Sequence, residues 1–147
     1  MYQRILVPTD GSELSRKAVS SAIDLAARLG SELIALYVAH RYPMSHFEGD
    51  ITISRGDVAR IEKQSTDKGR ATVDAVTAAA QQAGVKARGL VVQSDLIAES
   101  IQAAVEKDNC DLVVMASHGR KGVSRLLLGS ETQHVLTHSK VPVLVLR

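Results

Sequence analysis

Five short apolar runs, rich in β-branched residues, constrain this chain more than any other feature: residues 5–7, 33–38, 90–92, 112–116 and 141–146. They are near-continuous rather than alternating, the pattern of strands covered on both faces, as in a parallel sheet flanked by helices. Between them lie segments with helical spacing. Ala18, Val19, Ala22, Ile23, Ala26 and Leu29 form one apolar stripe that ends at Gly30, a residue suited to the left-handed turn that closes a helix. A longer stripe carries Val58, Ile61, Val73, Val76, Ala80 and Ala83 and stops at Gly84. Gly69 inside it weakens helix continuity by about 1 kcal/mol relative to alanine. The third helix starts near Ser94 or Asp95, either of which can cap its amides, and presents Ile97, Ile101, Ala104 and Val105. The fourth spans residues 131–138, where Ser130 with Gln133 fits a reciprocal capping box. Strand and helix alternate throughout. That order predicts right-handed crossovers and an α/β fold, a single doubly wound five-stranded parallel sheet with helices on both faces, Rossmann-like in character.

At 147 residues, one domain over positions 1–147 is expected, because a second core would lack buried surface. Aromatic residues make up only 3%, so the core must be built from Val, Leu, Ile and Ala. With 18 basic and 16 acidic residues and no long run of either sign, the chain lacks the footprint of a nucleic-acid binder. The lone Cys110 has no partner for an internal disulfide and is expected to pack as a small buried residue. The opening MYQRILVPTD has neither the basic region nor the apolar stretch of a secretory signal, so a cytoplasmic location is expected. The run LIALYVA, at seven residues, falls well short of the roughly 20 needed to cross a bilayer, and no membrane partner is expected. Residues 40–56 are the one irregular insertion, expected to form a surface loop or lid.

In an open doubly wound sheet, ligands sit beyond the carboxyl ends of the strands, where neighbouring connections run to opposite faces. Two loops there are unusual: Pro8-Thr9-Asp10-Gly11-Ser12 after the first strand, and Ala116-Ser117-His118-Gly119-Arg120-Lys121-Gly122 after the fourth. The second continues to Gly129-Ser130, where a helix begins. Free amides and a partial positive charge at a helix start, with glycine just before it, suit a phosphate. Arg120, Lys121 and Arg125 add cations able to meet its oxygens. An ATP-sized polyanion fits that inventory.

These residues resemble the universal stress protein family. Its ATP-binding branch carries Gly, two residues, Gly, nine residues, then Gly followed by Ser or Thr. The matching positions here are Ala116, Gly119, Gly129 and Ser130, with nine residues between the last two glycines. The opening ILVPTDGSELSRKAV, the segment MASHGRKGVSRLLLGS and the closing VPVLVLR are similar to that family as well, so the resemblance covers the whole chain. It implies an adenine nucleotide alpha hydrolase-like fold and a nucleotide site. Pro8, Thr9 and Asp10 would meet the adenosine, and Val38 would line the adenine. Met115, Ala116, His118, Gly119 and Arg120, with Gly129 and Ser130, would hold ribose and phosphates. The ligand implied is ATP, or ADP or AMP, with accompanying Mg2+ or Mn2+, and a homodimer joined through the last strand, with Val141 and Leu146 at its ends. Ala116 departs from the pattern: its methyl group stands where the family has glycine, at a cost on the order of 1 kcal/mol if the backbone there needs a positive φ. Glu131, in the first turn of the fourth helix, would itself satisfy the helix dipole and repel phosphate, or else hold a metal.

Plainer readings stand beside these. Asp10 has the makings of a helix cap, and the basic cluster of a solvated surface. His134 and His138 stand one turn apart, but no third metal ligand is evident in the sequence. His118 is placed either to carry a proton near phosphate, or to point into solvent or bond the loop backbone. The function expected is a nucleotide-binding sensor or regulatory module of stress response. The alternatives are a slow ATPase or phosphotransferase, with no Walker lysine motif in its favour, and a nucleotide-free dimeric interaction module.

Overall fold

The structure, a computed structural model, describes residues 1–41, 54–119 and 128–147. Nine elements follow in strict alternation: β1 (Arg4–Pro8), α1 (Glu13–Leu29), β2 (Glu32–Ala39), α2 (Arg55–Gln82), β3 (Ala87–Gln93), α3 (Ile97–Lys107), β4 (Leu112–Ala116), α4 (Ser130–His138) and β5 (Val143–Leu146). The strands form one sheet of order β3-β2-β1-β4-β5, with every neighbouring pair parallel. This is the doubly wound arrangement that the alternation of runs predicts.

Because side chains alternate along a strand, each strand feeds two cores. Ile5, Val7, Leu33, Ala35, Tyr37 and Val114 join the apolar stripes of α1 and α2 on one face. Leu6, Ile34, Leu36, Val113 and Met115 join α3 and Val135 of α4 on the other. The near-continuous apolar runs thus cover both sides of the sheet. Cys110 belongs to the second core, buried as expected.

Helix ends follow local chemistry in most places. Gly30 closes α1 with φ 69°, its amide donating to the Ala26 carbonyl. Ser54 caps α2 by accepting from the Asp57 amide at 3.1 Å, so Gly56, read from the sequence as loop, lies in the first turn of that helix. The remainder of the 40–56 insertion, residues 42–53, lies outside the described residues. α2 runs unbroken through Gly69, which gives the buried Tyr37 ring room to lie against the helix: a Cβ there would stand 2.5 Å from Tyr37 Cδ1. Long-range packing outweighs the local weakness that glycine introduces.

Two caps differ from expectation. α3 starts after Leu96 with no local side-chain cap; the Ser94 hydroxyl instead accepts from the Leu96 amide and holds the preceding turn. α4 is capped by Gly129, and Ser130 is already helical, so no Ser130–Gln133 box forms. The Gln133 side chain donates to the Leu128 carbonyl at 3.0 Å, reaching back past the serine.

Candidate functional site

β1 pairs with β2 on one side and β4 on the other; the chain leaves β1 toward β2 and leaves β4 toward β5. The crevice between those diverging connections is where the loops after β1 and β4 meet.

The β1 loop is held by short-range bonds. The Thr9 amide continues the ladder to the Leu36 carbonyl at 2.9 Å, and its buried hydroxyl is 3.1 Å from that of Ser15. Asp10 Oδ1 accepts from the Ser12 amide at 2.9 Å across Gly11, whose φ of 79° closes the turn. Ser12 rather than Asp10 caps α1, its hydroxyl accepting from the Ser15 amide. The aspartate is therefore spent on the turn and leaves the helix cap to its neighbour.

The β4 loop packs against the first. A Cβ on Gly119 would lie 2.5 Å from Asp10 Oδ2, so the absence of a side chain lets the two loops touch. Gly129 returns to the same place: its amide donates to the Ser117 carbonyl at 2.7 Å, and a Cβ would stand 3.3 Å from His118 Cα. The buried Thr132 hydroxyl reaches the carbonyls of Ala116 at 3.1 Å and Ser117 at 3.0 Å, tying α4 to the end of β4. His118 Nδ1 is 3.1 Å from the Ser117 hydroxyl. Its partner is thus a side chain of its own loop rather than the loop backbone.

Ala116 carries no backbone penalty. Among the described residues other than glycine, only Tyr2 and Asn109 have positive φ, and Ala116 is the last residue of β4. The alanine methyl is simply a wall.

Glu131 is the unexpected member. Its Oε2 accepts from the Ala98 amide at 3.1 Å and so supplies the cap that α3 lacks. The first turn of one helix thereby satisfies the start of another.

These loops and helices enclose a cleft of about 140 Å³. Of the expected site residues, Pro8, Thr9, Asp10, Val38, Met115, Ala116, His118, Gly119 and Glu131 line it. Gly129 and Ser130, at the start of α4, are not among the lining residues. Arg120, Lys121 and Arg125 lie outside the described residues. Sequence reasoning missed Ser15, Leu36, Ile97, Ile101 and Thr132 as lining residues. Ile97 and Ile101 were legible only as an apolar helix face; their four-residue spacing gave no hint that part of that face looks onto a cavity. The walls are aliphatic and thioether, from Leu36, Val38, Ile97, Ile101 and Met115, while Thr9, Asp10, Ser15, Glu131 and Thr132 bring polar groups to its edges. Such a cleft accepts a flat, mostly uncharged group and offers hydrogen-bond acceptors to hydroxyls at its border.

Among the described residues, no three of His, Cys, Asp and Glu are arranged to hold a metal ion. His134 Nε2 approaches Glu99 Oε1 at 3.8 Å, and its ring stacks obliquely on that of His138. Nor is any helix, among the described residues, long and apolar enough to cross a membrane.

Comparison with known proteins agrees with this architecture. Universal stress protein MJ0531 of Methanocaldococcus jannaschii is 31% identical over 147 residues, covering 100% of this chain and 83% of that protein. The solved structure of MJ0577, a universal stress protein of the same organism, has a TM-score of 0.83 at 26% identity, covering 99% of this chain and 96% of that one. A universal stress protein solved in complex with cAMP shares the fold at a TM-score of 0.73 and 24% identity, over 99% and 97% of the two chains. The profile of the Universal stress protein family matches residues 1–147, and the chain belongs to that family.

Proposed function

We propose that the cleft binds an adenine nucleotide, ATP with a divalent cation, and that the protein works as a nucleotide-occupancy sensor or regulatory module. The observation that carries this reading is the adjacency of two surfaces. An aliphatic-walled cavity suited to a nucleobase opens beside the glycine-led start of α4, suited to phosphate. The base sits between Val38, Met115 and the isoleucines of α3, and Asp10 accepts from ribose hydroxyls. Phosphates lead outward past Gly119 toward Gly129 and Ser130. The cation, Mg2+ or Mn2+, arrives on the phosphates, since the described residues offer no three-ligand cage for it. Occupancy acts by favouring one arrangement of the loops over another, to the extent that the ligand binds the two differently.

The test is a calorimetric titration of nucleotide-free protein with ATP and magnesium, repeated on Gly119→Val, whose side chain would enter the space of Asp10 Oδ2. Binding that disappears in the variant supports the reading. Absence of binding in the natural protein refutes it.

The proposal includes a homodimer through β5. This strand is a sheet edge, and Leu144 on it is 44% exposed. Pairing with a second copy would cover both the leucine and the unpaired backbone. A dimer by light scattering that dissociates in Leu144→Arg is the expected result; a monomer at micromolar concentration overturns it.

A further inference from the structure

We infer that Glu131 sets the discrimination of the cleft against charged ligands: its carboxylate, seated on the start of α3, occupies positive potential that a phosphate would otherwise take. The inference rests on the nucleotide reading above and assigns to one side chain the choice between uncharged and anionic ligands.

Three observations meet here. α3 is an eleven-residue helix with no local side-chain cap, and Ile97 at its start lines the cleft. Glu131 Oε2 takes the Ala98 amide at 3.1 Å from a position 33 residues away. The same side chain lines the cavity together with Ile97 and Ile101. Two helix starts, those of α3 and α4, thus converge on one border of the cleft, and a single carboxylate stands at both. Without it, that border would attract any anion. With it, the attraction at α3 is already satisfied and a second negative charge nearby is opposed. Asp10, the other carboxylate of the lining, is bound to the Ser12 amide at the opposite loop and acts in the same sense. The interior is thereby kept for the uncharged base and sugar.

Glu131→Gln isolates the charge, because the amide oxygen still accepts from Ala98 while the negative charge is gone; Glu131→Ala removes both. Each protein is titrated with adenosine and with AMP in EDTA at low ionic strength, and the quantity read is the ratio of the two dissociation constants, adenosine over AMP. In Glu131→Gln this ratio should rise on the order of fivefold, the size expected for like charges about 4 Å apart in water, since Glu131 is exposed. The gain should shrink toward nothing near 1 M salt, where the screening length is about 3 Å. Glu131→Ala should show the same rise, with lower thermal stability from the lost cap. An unchanged or lower ratio in Glu131→Gln overturns the inference while leaving nucleotide binding intact, and so does a rise that persists at high salt. If neither ligand binds any of the three proteins, the nucleotide reading fails and this inference falls with it.

Discussion

Gly69 in α2 offers a test in which local propensity and tertiary packing predict opposite signs. An alanine in the middle of a helix is favoured over glycine by about 1 kcal/mol when nothing opposes it. At Gly69 the added Cβ would stand 2.5 Å from Tyr37 Cδ1 and 3.0 Å from Cγ and Cε1. Carbon atoms in contact prefer about 3.5–4.0 Å, so ring or helix must move by roughly 1 Å. Tyr37 is 7% exposed and packed in the core beneath α1 and α2, which leaves it little freedom to do so. Overpacking of this kind costs about 1–3 kcal/mol, and after the propensity gain the net is a destabilisation of up to about 2 kcal/mol. For a chain of this size that is a fall in Tm of up to about 8 °C. Gly56 in the same helix is the control: it is exposed, and the nearest atom to its added Cβ is Ser54 Oγ at 3.8 Å. Gly56→Ala should stabilise by a few tenths to about 1 kcal/mol. Urea unfolding followed by circular dichroism, at constant m-value, measures both. In a Tyr37→Ala background, Gly69→Ala should lose its penalty, which a double-mutant cycle reads as coupling. Equal stabilisation by the two alanines would refute the reasoning.

Burial pushes the Cys110 thiol up to about 11. With the folded value above the unfolded one, its contribution is intact below about pH 9 and lost as pH rises toward 11; Cys110→Ala should flatten that alkaline decline, worth about 2–3 kcal/mol in the parent. At the acid end, burial acts to raise the Asp111 carboxyl, but the amides of Arg4 and Gln3 outweigh it and leave it below the ordinary carboxylate value. The stability it contributes is present above about pH 4 and lost as pH falls through the folded value, so Asp111→Asn should narrow the gap to the parent as the solution is acidified. Thr132→Val removes a buried hydroxyl bonded to two carbonyls and should cost about 1–3 kcal/mol in chemical unfolding, with weaker nucleotide binding by calorimetry because α4 loses its hold on β4.

The periodic features were legible and the long-range ones were not. Every strand was visible as an apolar run, since a strand covered on both faces needs apolar residues at every position. The start of β3 was hidden because Arg88 and Gly89 interrupt the run. Gly89 is there for packing, as a Cβ would lie 2.7 Å from Val73 Cγ2 of α2. The glycines of the β4 loop were recognisable from their spacing, and their contacts with Asp10 and Ser117 give that spacing a steric reason. The cap of α3 was misplaced to Ser94 or Asp95 because capping rules look only a few residues along the chain. Ser15 and Thr132 carry no local signal that sets them apart from other helix hydroxyls. Their importance lies in what stands opposite them in space, which no local pattern encodes.

The contact between Glu131 and Ala98 bears on how this molecule assembles and how it opens. A helix whose first turn is completed by a residue 33 positions later cannot finish forming until the last quarter of the chain has docked. One wall of the cleft therefore depends on the C-terminal part of the chain. In the native state the dependence runs the other way: any fluctuation that lifts α4 also releases the start of α3, so both sides of the cleft loosen in one step. Amide exchange at Ala98 is a direct gauge of that event. The two helices that border the cleft are thus tied to each other by one side-chain contact.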